Sequence, residues 1–171
     1  GRSAGAWSQK AKLGNLKSYS AAVNYLHANN VSTLSDLESR LNGYAETASS
    51  LKSSLADKEQ RIKKLDRLVQ LAGFYREGKP VYGKLNEIKW KKKREEYAAQ
   101  HERTLDLFYM ARRELKLYLA DGNKVPIKSW QEEKVALEQE YAVERQQLSA
   151  IQQDLKSIRQ IHYAIESIRH E

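Results

Sequence analysis

Six consecutive residues, Lys89, Trp90, Lys91, Lys92, Lys93 and Arg94, place five cations around one indole. Ammonium and guanidinium groups neutralise phosphates, and an indole face stacks on a nucleobase, so the run suits contact with nucleic acid. Arg112, Arg113 and Lys116 follow in the same stretch of chain. These nine residues are the candidate nucleic-acid-binding set, with DNA as the candidate partner. A competing reading keeps the run as a solvated helix surface, with Trp90 anchored in the core and lysine stems lying over it.

Other chemistry finds less support in the residue pattern. The histidines, His27, His101, His162 and His170, show no pair four apart with an acid between them. His101 and Glu102 are adjacent and so cannot share a helix face. The glycines are scattered, which excludes a Gly-rich phosphate loop. A nucleophile elbow needs a strand-turn-helix, and no strand pattern is present. Cysteine is absent, which excludes disulfides and thiolate metal ligands. The expectation is a chain with no catalytic residue, no metal site, no cofactor and no small-molecule substrate. The tyrosines read as core residues with a polar tip.

Charge is distributed unevenly around the net +8. Residues 1–33 carry Arg2, Lys10, Lys12 and Lys17 with no acid, and residues 73–129 hold the largest cationic excess. Residues 130–171 are net acidic. A basic middle between near-neutral or acidic flanks suits a polyanionic partner. Lys10, Lys12 and Lys17 form a second candidate contact. No apolar run reaches the length of a membrane span and no secretory leader pattern appears, so a cytoplasmic protein without membrane insertion is expected.

The elements that must position these residues are helical. Charged residues make up 30% of the chain against only 8 Gly and 2 Pro, a balance found in long helices and coiled coils. A first helix is predicted from about Ala6 to Ala28, weakened at Gly14 and ended by Asn29-Asn30. Thr33 offers an N-cap for the next helix, with Asp36 in its first turn. There Leu34, Leu37, Leu41, Tyr44, Ala48, Leu51, Leu55, Lys58, Ile62, Leu65, Val69 and Ala72 alternate at spacings of three and four. Only Lys58 is not apolar. A 3.5-residue repeat sustained this long marks a supercoiled seam, since a straight helix would drift off the stripe.

A matching seam begins at Trp130 and continues through Lys134, Leu137, Tyr141, Glu144, Leu148, Ile151, Leu155 and Ile158. It then takes Ile161 or His162, Ile165, and Ile168 or Arg169. Pro126 marks the loop before it, and Ser129 with Glu132 fits a capping box. Paired antiparallel, the seams put Lys58 opposite Glu144, Ala72 opposite Trp130, Leu65 opposite Leu137 and Leu37 opposite Ile165. The one charged position in the middle of each seam then meets an opposite charge, which favours this register over a parallel one.

The predicted fold class is therefore all-α. A long antiparallel coiled-coil stalk, about 57 Å at 1.5 Å per residue, is formed by residues 34–72 and 130–169. Residues 73–129 form a small helical head inserted between its two arms, and residues 1–33 an N-terminal helix at the base, so that residues 1–171 make one elongated module. Gly73 and Gly78-Lys79-Pro80 are expected to interrupt the helix, with Pro80 in the first turn of a short new one carrying Val81, Tyr82, Leu85 and Ile88. A longer helix should then run through Tyr97, Leu105, Phe108, Tyr109, Leu115 and Leu119.

Several short motifs carry a family resemblance. They are Trp7, Asn15-Leu16-Lys17, Asn24-Tyr25-Leu26, Lys79-Pro80-Val81-Tyr82, Tyr97 with His101 four residues on, and Pro126 opening a helix that bears Glu140-Tyr141. In this order the chain resembles the C-terminal helical region of mobilisation relaxases from conjugative elements of Gram-positive bacteria. The resemblance implies a non-catalytic portion of a longer DNA-nicking protein. It would bind DNA, transfer-machinery proteins or another relaxase copy during plasmid or transposon mobilisation. Nothing here matches the family's nuclease, so no catalytic residue carries over. The alternative is a structural coiled-coil adaptor that binds protein only.

Overall fold

A computed structural model describes residues 20, 23–29, 31, 33–120 and 124–169. Every regular element among them is an α-helix: α1 (Leu34–Glu87), α2 (Lys91–Gln100), α3 (Glu102–Glu114), α4 (Lys116–Leu119) and α5 (Ile127–Arg169). The fold is all-α and coiled-coil-like. No described helix is long and apolar enough to cross a membrane. Contacts divide the chain into two compact units, Gly1–Leu55 with Val143–Glu171, and Ala56–Ala142.

In the first unit the early part of α1 and the late part of α5 run antiparallel. Ser54 Oγ donates to Glu144 Oε1 at 3.0 Å, and His162 Nε2 lies 3.3 Å from Glu38 Oε1. Leu37, Ile158 and Ile161 are buried between them, with Leu41, Tyr44 and Ile165 packed around. Full burial of each such side chain contributes about 1.5–3 kcal/mol. Ile161 takes the seam position for which His162 was the other candidate, and His162 stays half-buried at the edge.

Residues 20 and 23–28 are helical, and Tyr25, Leu26 and Val31 pack against the same cluster. The rest of the first predicted helix, including Gly14 and the candidate cations Lys10, Lys12 and Lys17, lies outside the described residues. Backbone bonds from Asn29 N to Tyr25 O (3.0 Å) and from Val31 N to Leu26 O (2.9 Å) close the helical stretch. Thr33 Oγ1 then accepts from Asp36 N at 3.1 Å, the N-cap bond that a threonine there predicts.

The second unit holds the rest of α1, α2 to α4, and the start of α5. Here too α1 and α5 are antiparallel. Arg61 makes a two-pronged contact with Glu133 (2.8 and 2.9 Å), Lys134 Nζ meets Asp66 at 2.5 Å, and Lys58 Nζ reaches Glu140 at 3.9 Å. These pairs run in the expected antiparallel sense. Lys58 and Glu144 belong to different units. Leu65, Leu68, Leu71, Ala72, Ala111, Leu115 and Trp130 form the buried cluster, with Leu137 packed against it.

Three expectations require correction. The helix does not break at Gly73 or at Gly78-Lys79-Pro80: α1 continues through all of them to Glu87, with Pro80 inside it. Burial decides this. Leu68, Leu71, Tyr75, Gly78, Tyr82 and Leu85 form a second stripe at spacings of three and four, and α3 packs on it. At Gly78 the approach is so close that an added Cβ would lie 2.3 Å from Phe108 Cβ. Pro80 falls on the exposed face, where water can serve the carbonyl left without a helical donor.

The long helix expected after it is divided into α2, α3 and α4. His101 (φ −117°, ψ 26°) and Leu115 (φ −90°, ψ 6°) leave helical geometry. The turn at His101 separates α2, which buries nothing, from α3, which buries Leu105, Phe108 and Ala111. Finally, α5 starts at Ile127, and Trp130 N donates to Pro126 O at 3.0 Å. Ser129 is thus already inside the helix, and no Ser129–Glu132 capping box forms. The proline supplies the first carbonyl instead.

Candidate nucleic-acid interface

Helix α1 ends where Ile88 N bonds Leu85 O at 3.3 Å, and residues 88–90 link it to α2. Trp90 is extended (φ −87°, ψ 120°), and its carbonyl accepts from Arg94 N at 2.9 Å to begin α2. Its indole is 75% exposed. The reading of Trp90 as a core anchor is therefore overturned, because a residue so exposed buries too little to anchor a core.

Lys89, Lys91, Lys92, Lys93 and Arg94 are all exposed around it. Helix α2 has no acid in its first turn and no side-chain cap. Lys91, Lys92 and Lys93 thus stack their charge on the positive end of the helix dipole, beside unpaired backbone N–H groups. That costs stability in the free protein, and it is an arrangement an anion relieves. Beyond this turn α2 is held lightly: the Tyr97 and His101 rings lie 4.3 Å apart, and His101 Nδ1 is 3.0 Å from Tyr97 O.

Two cations distant in sequence converge on Tyr82. The Arg112 guanidinium lies 5.0 Å from the Tyr82 ring, 5.4 Å from Tyr109 and 5.5 Å from Phe108. Arg94 Nη2 donates to Asn86 Oδ1 at 3.4 Å, one turn along α1 from Tyr82. Hydrogen bonding from Arg112, then from Asn86, holds the Tyr82 hydroxyl below its ordinary value of 10, with the charges of Arg112 and Arg94 adding to the effect against some desolvation. Comparison with models of known protein families, with characterised proteins and with solved structures finds no match.

Of the nine candidate residues, the structure links Arg94 and Arg112 through the Tyr82–Asn86 turn, and it sets Lys89 and Lys91 to Lys93 beside an exposed indole. Arg113 and Lys116 are exposed at the end of α3 and the start of α4. No hydrogen bond or ring contact among the described residues ties either to Tyr82.

Residue patterning missed Tyr82, Asn86 and Tyr109. Their i,i+4 and i,i+3 relations to one another and to Arg112 were visible, but only packing of α3 on α1 brings them together. It also passed over Glu38, His162 and Glu166, whose ligand atoms lie within 4.8 Å of one another. His162 and Glu166 are four apart, a signal a search for paired histidines does not catch.

Proposed function

We propose that this chain binds nucleic acid, single-stranded DNA foremost, through the surface built by Lys89 to Arg94 and Arg112. The observation that carries this is the exposed Trp90 ring set among cations at the uncapped start of α2. Lysines and arginines neutralise phosphates, while an unstacked base finds the indole face. A single strand offers such bases; a duplex does not. Arg113 and Lys116 extend the positive surface along α3 and α4.

On the resemblance to mobilisation relaxases, the bound strand is the transferred strand of a plasmid or transposon. The chain is then a non-catalytic, cytoplasmic module, with transfer-machinery proteins or another relaxase copy as further partners.

Fluorescence anisotropy with an oligothymidine across a salt series tests the proposal. Each phosphate neutralised on a single strand contributes about −0.7 to the slope of log affinity against log salt, so five engaged cations give roughly −3.5. Alanine at Lys91, Lys92 and Lys93 together should flatten the slope by about 2. Absence of binding at low salt, or an unchanged slope in that variant, rejects the surface.

A second reading, an adaptor that binds protein only, has its own support in the first unit. Ala45, Ala48 and Ser49 on α1 and Ala164 on α5 floor a groove edged by Tyr163 (75% exposed) and Ile168 (51% exposed). Lys52, Lys156 and Arg159 flank it, so its occupant is an amphipathic helix with an acidic border. Salt-insensitive absence of oligonucleotide binding, with capture of such a peptide, favours this reading.

A further inference from the structure

We propose that Glu38, His162 and Glu166 form a site for a divalent transition-metal ion of the Zn2+ class, clipping α1 to α5 in the first unit. His162 and Glu166 are four residues apart on α5 and share one face, which Glu38 meets from α1. All three ligand atoms lie within 4.8 Å of one another. Ligands about 2.1 Å from a common tetrahedral ion stand about 3.4 Å apart, so side-chain rotations that shift the ligand atoms by at most about 1.4 Å close the set. The His162 Nε2 to Glu38 Oε1 distance, 3.3 Å, already matches an edge of a tetrahedron of that size.

The donor set selects the metal. Two carboxylates offset the charge of a divalent ion, and an imidazole favours Zn2+, Co2+ or Ni2+ over Mg2+ and Ca2+, which prefer oxygen alone. Glu38 is exposed and the other two ligands are half-buried, so water completes the coordination. Beneath them Leu37, Ile158 and Ile161 are buried and hold the two backbones in place, which preorganises the ligands. The site is independent of the nucleic-acid surface, which belongs to the other unit.

The competing account is a plain hydrogen bond between His162 and Glu38, indifferent to metal. The test uses the full chain, stripped with chelator, then titrated with Co2+ followed by visible absorption and with Zn2+ followed by calorimetry. One equivalent should bind, and at a hundredfold excess over the dissociation constant Zn2+ should raise Tm by roughly 5–10 °C. Affinity should fall as pH is lowered, because binding releases protons. His162→Gln and Glu38→Gln should each weaken binding at least about tenfold, while a double His27→Gln, His170→Gln variant keeps it. Glu38 is exposed, so its variant folds even if that of His162 does not. No binding by the parent chain, binding unaffected by Glu38→Gln, or binding lost in the double variant overturns the site.

Discussion

Gly73 and Gly78 lie in one helix, yet alanine should act with opposite sign at the two. A Cβ at Gly73 meets nothing within 4 Å, and the same holds at Gly43 and Gly83. Removing glycine's backbone freedom from a helix stabilises by about 0.5–1 kcal/mol, so alanine at each of these three should raise Tm by a few degrees. At Gly78 the new methyl would meet the Phe108 Cβ and ring root, atoms too close to the α3 backbone to rotate away. Overpacking costs about 1–3 kcal/mol or more and outweighs the gain, so Gly78→Ala should lower Tm. Thermal melts of the four single variants check both signs. Glu133 gives a test by pH. The hydrogen bond from Arg61 holds its carboxyl below the ordinary 4.5, with desolvation opposing. A depressed carboxyl stabilises the fold fully above its unfolded value, and that contribution is lost as pH falls through the lower folded value. Glu133→Gln should therefore destabilise by at most about 1 kcal/mol at pH 7, since both partners are partly exposed, and the difference should close in acid. Denaturant melts at a series of pH values read this directly.

Helices that meet one neighbour and helices that meet two are not equally legible in a sequence. The stripe from Leu34 to Ala72 and its counterpart from Trp130 stand out because each keeps a single period, and Thr33 caps α1 as its type predicts. The second stripe on α1 was hidden. It runs through Tyr75, Gly78 and Tyr82 beside Pro80, and the local preference of Gly78 and Pro80 is to end a helix. Packing of Leu105, Phe108 and Ala111 overrides that preference, and Leu85, past the proline, is buried only because the helix continues. The candidate site divides in the same way. Its cationic run needs no neighbour to be seen, whereas the Tyr82–Asn86–Arg112 grouping exists only once α3 lies on α1. Since Pro80 is exposed and interior proline costs about 3 kcal/mol relative to alanine, Pro80→Ala should stabilise by up to that amount. A neutral or destabilising result by calorimetry would mean that α1 does not run through this position as a helix.

At the scale of the whole molecule, a chain of net charge +8 adheres to many polyanions, so affinity alone is weak support for a dedicated nucleic-acid surface. What separates such a surface from general stickiness is a salt-independent stacking contribution on top of phosphate contacts. Trp90 is where that contribution must arise. It is the exposed tryptophan among the described residues, whereas Trp130 is buried in the core. The decisive measurement is the affinity of Trp90→Ala and parent chain for an oligothymidine at two salt concentrations, with helicity followed in parallel. The account predicts a loss of about 1–3 kcal/mol, of similar size at both salts, with helicity unchanged. Equal affinities of variant and parent would contradict it.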